Sequence, residues 1–257
     1  MYMGGERIDP MRRIFVPLDR IKEDRIVVTG GDVKHIKDVL RMKPGDEITA
    51  SDGRGTSYSC VLSEIGSDEI ILSITEKKPD ISELPVKITL FQALPKGDKM
   101  DLIIQKAVEL GVTGIYPVAT ARSVTKLTGE KAEKKVGRWQ KIATEAAKQC
   151  GRGIVPAVGG VVGMPAACEL ASDSDLIYIP YELSEDISSI GRIREDIRGV
   201  ESIAVFIGAE GGFERSEVES VIAKGAKVIS LGYRILRTET AAIAMLSHLM
   251  LLIEGES

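Results

Sequence analysis

The chain has 257 residues, 44% hydrophobic and 28% charged, enough for one large domain or two modest ones with a proper core. No apolar run reaches the roughly 20 residues of a membrane span and no apolar signal segment opens the chain, so a membrane partner is not expected. The net charge of −4 names no partner, and Cys60, Cys150 and Cys168 stand far apart with only His35 and His248 beside them, which excludes a zinc pattern and fits a reduced, cytoplasmic protein.

Charge is unevenly spread. Residues 87–154 hold 13 Lys and Arg against 6 Asp and Glu, whereas residues 155–257 hold 8 against 16. A basic middle suits a surface facing a polyanion, and equally a solvated helix face, since many of the lysines lie between Lys131 and Lys148.

In chain order, five β-rich runs come first: Arg12–Val16, Arg25–Thr29, Glu47–Asp52, Thr56–Ile65 and Glu69–Glu76. Turn signals such as Lys43-Pro-Gly-Asp46 and Asp52-Gly-Arg-Gly55 separate them, a pattern that predicts a small barrel with one helix over Asp32 to Arg41. Lys77 to Pro85, with two prolines and mixed charge, reads as a linker. Short apolar runs then alternate with helical patterns. The predicted strands are Ile88–Leu94, Ile115–Val118, Leu176–Pro180, Ile203–Ile207 and Val228–Leu231. The predicted helices are Lys99–Leu110, Lys131–Gln149, Arg215–Lys224 and Thr238–Ile253, with Asp98 and Thr238 as N-cap candidates. This alternation implies an α/β domain with a mostly parallel sheet, and a division into residues 11–78 and 82–257.

Two glycine-bearing loops near the C-terminus carry the chemistry. Ile207-Gly-Ala-Glu-Gly-Gly-Phe213 follows a strand and precedes a helix, where glycines let backbone approach a ligand. Leu231-Gly-Tyr-Arg-Ile-Leu-Arg-Thr-Glu-Thr-Ala-Ala242 runs from strand through a turn into a helix. Arg234 and Arg237 sit there in an apolar stretch, and an arginine so placed usually has an anionic partner. Trp139 in the basic helix reads as a core or interface anchor, Cys150 as structural, and His248 as a packed residue of an apolar helix.

Taken together, these two segments resemble the signature of the bacterial 16S ribosomal RNA uridine N3-methyltransferases, members of the SPOUT class. Lys106-Ala-Val-Glu-Leu-Gly-Val112, Ala121-Arg-Ser-Val124 and Glu145-Ala-Ala-Lys-Gln-Cys-Gly-Arg152 are similar to that family's middle motifs. Met11-Arg-Arg-Ile-Phe-Val16, His35-Ile-Lys-Asp-Val-Leu-Arg41 and Asp52-Gly-Arg-Gly55 resemble its PUA-like RNA-binding domain. The resemblance runs through residues 11–253, with Ala209 where the family has proline and Met1–Pro10 as an extension.

The resemblance implies a trefoil-knotted α/β methyltransferase domain behind a small PUA-like β-barrel, working as a homodimer on ribosomal RNA or the small ribosomal subunit, with S-adenosylmethionine as cofactor. It implies a cofactor site at Tyr181, Ile207, Gly208, Ala209, Glu210, Gly211, Gly212, Leu231, Gly232, Ile235, Leu236, Arg237, Thr240 and Ala241. Arg237 is the candidate to stabilise a uridine anion, with Glu239 or Glu210 accepting the N3 proton. Arg12, Arg13, His35, Arg41, Arg54, Arg122 and Arg152 are the expected RNA contacts, and no metal is expected. Rival readings are a related knotted ribose 2′-O-methyltransferase, a non-catalytic RNA-binding assembly protein, and a dinucleotide enzyme. The last requires an early Gly-x-Gly-x-x-Gly run that the chain lacks.

Overall fold

A computed structural model describes residues 12–80, 82–123, 127–181 and 190–255; the Met1–Pro10 extension and Val124 lie outside them. The chain forms two units, Met1–Glu83 with Ala147–Val155, and Leu84–Ala146 with Pro156–Ser257.

In the first unit β1 (Arg13–Phe15), β2 (Arg25–Thr29), β3 (Glu47–Ser51), β4 (Thr56–Ile65) and β5 (Glu69–Pro79) form one sheet in the order β1-β3-β4-β5-β2. All pairings are antiparallel except β1 with β3. Alternation does what the sequence implies: Ile26 and Val28 of β2, and Ile70 and Leu72 of β5, enter one core. The sheet is a half-barrel, since its outer strands β1 and β2 do not pair with each other among the described residues. The expected helix over Asp32 to Arg41 is a short α1 (Gly31–Lys34) continuing as a π-turn over His35–Val39. It buries Val33 and Ile36 and leaves His35 exposed. The segment read as a linker is partly strand, because β5 runs on to Pro79 along β4.

In the second unit β6 (Lys87–Ala93), β7 (Gly114–Ala119), β8 (Ala157–Val158), β9 (Val162–Gly163), β10 (Leu176–Pro180), β11 (Ser202–Ile207) and β12 (Lys227–Ile229) make a parallel sheet. Its order is β12-β10-β11-β6-β7-β8, with β9 also on β7. The helices are α2 (Lys99–Glu109), α3 (Gly129–Cys150), α4 (Met164–Ala171), α5 (Ile190–Asp196), α6 (Arg215–Ile222) and α7 (Thr238–Gly255). No helix among the described residues is long and apolar enough to cross a membrane. The strands are apolar on both faces, as a covered parallel sheet requires, and Phe91 stacks between Phe206 at 4.7 Å and Tyr116 at 5.4 Å. In α7 the spacing of Ala242, Met245, Leu246, Leu249 and Ile253 turns one stripe inward.

The register places the functional edge. Ile207 pairs with Gln92, and Pro180 with Ile229, so the carboxyl ends of β6, β11, β10 and β12 share one side of the sheet. The loops following these strands gather there, the usual place for a ligand in an open parallel sheet.

Candidate active site

At that edge lies an open recess of about 390 Å³ lined by Pro180, Tyr181, Ser230, Leu231, Gly232, Arg234, Leu236 and Ala241. The sequence-expected Tyr181, Leu231, Gly232, Leu236 and Ala241 are thereby brought together; Pro180, Ser230 and Arg234 join them. The backbone of Tyr181 donates to Ile229 O at 3.1 Å, which fastens the end of β10 to that of β12. Gly232 takes φ +108°, a conformation open to glycine, and Ser230 Oγ braces the turn by accepting from Gly232 N at 3.2 Å. Backbone and apolar side chains supply much of the walls, and Arg234 is their one charged group among the described residues.

The glycines of 208–212 form a separate tight turn. Gly212 N donates to Ala209 O at 2.9 Å, and a β-carbon on Gly208 would come within 3.0 Å of Gly212 Cα. Arg122 lies against this turn and donates to Gly211 O at 2.9 Å. Glu217 ties the neighbouring loop down, accepting from Ala121 N at 2.8 Å and from Glu214 N at 2.9 Å. Ile207 is core rather than lining, Ile235 is 84% exposed, and Thr240 is exposed.

Thr238 does not use its hydroxyl as a helix cap. The hydroxyl donates to Gly208 O at 2.6 Å and accepts from Gln92 Nε2 at 2.9 Å. Asp98 likewise makes no side-chain cap to α2. Gln92 was not singled out by sequence, although one amide inside the apolar run Ile88–Leu94 was a legible sign of a buried polar contact.

The two candidate proton acceptors face one lysine. Lys99 Nζ lies 2.8 Å from Glu210 and 3.5 Å from Glu239. Burial acts to raise the Glu210 carboxyl, but hydrogen bonds from Lys99 and from backbone, Lys96 N among them, outweigh it and hold the group below its ordinary value. Lys99 is pushed up, first by its hydrogen bond to Glu210. Glu239 Oε2 is buried and makes no hydrogen bond among the described residues. Arg237 is exposed at the start of α7, and its carbonyl accepts from Ala241 N at 2.8 Å.

The expected RNA contacts of the first unit separate into two sets. Arg12, His35, Arg41 and Arg54 are exposed. Arg13 and Arg152, by contrast, are buried. Arg13 is buried against Asp80 and Ser57 and donates to Gly151 O at 2.7 Å. Arg152 is buried against Glu83, whose carboxylate also accepts from Gly153 N and Ile154 N at 3.0 Å. Each arginine lies beside a buried carboxylate, and a guanidinium withdrawn from water settles on such a partner. Trp139 is buried and donates to Asp101 at 3.2 Å, in keeping with an anchoring role.

Residues 82–250 match the family model described as an RNA methyltransferase domain, and residues 28–75 match that of an RNA methyltransferase PUA domain. A parallel sheet with a recess at its carboxyl edge, joined to a PUA-type half-barrel, is accordingly an RNA methyltransferase architecture. The chain is 37% identical to ribosomal RNA small subunit methyltransferase E of Bacillus subtilis strain 168, over 92% of this chain and 95% of that protein. It is 30% identical to the protein of the same name from Synechocystis sp., over 95% of this chain and 78% of that one. The crystal structure of ribosomal RNA small subunit methyltransferase E from Neisseria gonorrhoeae, bound to S-adenosyl methionine, superposes with a TM-score of 0.80 at 32% identity, covering 94% of this chain and 98% of the other. The chain belongs to the ribosomal RNA small subunit methyltransferase E family.

Proposed function

We propose that the chain methylates N3 of a specific uridine in 16S ribosomal RNA, with S-adenosylmethionine as donor, acting in the cytoplasm as a knotted homodimer. The observation that carries this reading is the recess at the sheet's carboxyl edge, walled by the Ser230–Gly232 turn, Tyr181, Leu236 and Ala241. Its mixture of apolar side chains and backbone groups suits a nucleoside. The cofactor, when bound, supplies a methyl group already activated by its sulfonium.

What remains for the chain is to align the acceptor, exclude water and deal with the N3 proton. Arg237 lies in sequence between the recess residues Leu236 and Ala241, and its exposed side chain makes no hydrogen bond or ion pair among the described residues. Its charge is free to stabilise a uridine anion. Lys99 and backbone N–H groups hold the Glu210 carboxyl below its ordinary value, which makes it a weak proton acceptor; Glu239, the other candidate, faces the same lysine at 3.5 Å. Arg12, His35, Arg41 and Arg54 supply exposed groups for RNA phosphates. The homodimer reading is supported by exposed apolar side chains at Tyr233, Ile235 and Leu251, surface that a second copy would cover.

The test is transfer of labelled methyl from S-adenosylmethionine to small ribosomal subunits prepared without this modification, followed by nuclease digestion and mass spectrometry. N3-methyluridine is the expected product. A ribose-methylated nucleotide would replace the reaction assigned here, and absence of transfer would leave an RNA-binding protein.

A further inference from the structure

We propose that Gln92 is a positioning residue for methyl transfer: through the Thr238 hydroxyl, its side-chain amide holds the Gly208 turn and the start of α7 at a fixed separation. The proposal rests on the reading that the loops after β11 and β12 serve the cofactor site.

Gln92 is the next-to-last residue of β6, in its buried stretch Leu90–Ala93, and is fully buried between the neighbours Phe91 and Ala93. A side-chain amide at such a place is tolerated only where its groups are used. Its Nε2 donates to Ala93 O at 2.9 Å and to Thr238 Oγ1 at 2.9 Å, with Ile207 O at 3.5 Å. Thr238 has one hydroxyl proton, and Gly208 O takes it at 2.6 Å. The direction of the relay is therefore fixed as amide to hydroxyl to carbonyl, and no carboxylate or apolar side chain at position 92 can start it.

The relay joins three stretches distant in sequence: the end of β6, the turn after β11 and the first residue of α7. Both of the segments it links are constrained. At Gly208 the backbone already passes too close to Gly212 to admit a β-carbon without displacement. Thr238 stands between Leu236 and Ala241, two walls of the recess. Moving the start of α7 away from the Gly208 turn would therefore move a recess wall. Meanwhile Gln92 Oε1 is buried and accepts no hydrogen bond among the described residues. Pure stability would favour an apolar side chain of the same length; a donor aimed at Thr238 accounts for an amide.

The experiment measures S-adenosylmethionine affinity by calorimetry, kcat and KM for S-adenosylmethionine on small ribosomal subunits, and melting temperature. Thr238→Val preserves shape and removes the relay, so Kd and KM should rise about tenfold, the scale of one hydrogen bond, with kcat less affected. Thr238→Ser should restore both to within about twofold, since it keeps the hydroxyl. Gln92→Met should raise Kd comparably while holding or increasing the melting temperature, and Gln92→Glu should be worse, its carboxylate facing the carbonyls of Ala93 and Ile207. A Thr238→Val or Gln92→Met protein that melts lower but binds normally would overturn the relay and leave a merely structural contact. Should Thr238→Val not fold, Gln92→Met decides alone by the same readouts. Wild-type protein without affinity for S-adenosylmethionine would overturn the proposed function and the relay's purpose together; normal wild-type binding with unchanged variants would overturn the relay only.

Discussion

Arginines are used in opposite ways by the two units. In the half-barrel, Arg13 and Arg152 are buried against Asp80 and Glu83 and hold the loop at Gly151–Ile154 to the sheet. Arg234 at the recess, and Arg237 next to its lining residue Leu236 in sequence, remain exposed, with no ion pair among the described residues. All four stand in the sequence as candidates for an anionic partner. Their roles differ because two of them meet a buried carboxylate supplied from a remote position, and a guanidinium with such a partner is no longer free for an anionic ligand.

The sharpest way to break this contrast is Asp80→Ala. It strands the buried Arg13 charge and should lower stability by about 3–5 kcal/mol in urea unfolding, whereas Arg234→Ala should stay within about 0.5 kcal/mol of wild type. Equal losses would abolish the distinction. Arg237→Ala should next slow single-turnover methyl transfer by roughly a hundredfold while S-adenosylmethionine affinity holds. That defect should shrink as pH rises, because more uridine is then ionised unaided; a defect flat in pH would remove Arg237 from the chemistry.

A third test turns on proton linkage. Burial tends to raise the Asp80 carboxyl, but hydrogen bonds from Ser57, Ser82 and Arg13 bring it below its ordinary value. A carboxylate depressed in the folded state contributes stability in full above its unfolded pKa of about 3.9, and loses it as pH falls through the lower folded value. The stability gap between wild type and Asp80→Asn should therefore be widest near neutral pH and narrow below about pH 4. A gap constant across that window would mean that Asp80 is not held depressed. The smallest effect is expected for Arg41→Ala: RNA affinity should weaken modestly and evenly across sequences, with the salt slope reduced by about one. Arg152→Lys should leave that slope unchanged, since residue 152 is turned to Glu83.

Most of the element plan was legible in the sequence, because period-2 and period-3.6 patterns report burial directly. β2, β4 and β10 have the bounds their apolar runs imply. The eight-residue α4, too short to show a period, was not legible, nor were the two-residue strands β8 and β9. At the site, Gly232 and its apolar neighbours could be read from the turn they make. The pairing of Thr238 with Gln92 could not, since 146 positions separate the two. The same distance effect hid the burial of Arg13, whose partner Asp80 lay in a stretch that read as linker.

Residues 147–155 belong to the first unit although the Leu84–Ala146 part of the second precedes them in the chain. During synthesis, then, the half-barrel leaves the ribosome with its strands made but without Gly151, Arg152 and Gly153. At translation rates of about 5–20 residues per second, the stretch Leu84–Ala146 between the two parts imposes a wait of several seconds. Through that interval Glu83 has no Arg152 to receive, and Arg13 lacks one of its acceptors. The N-terminal part of this protein is born first and finished late.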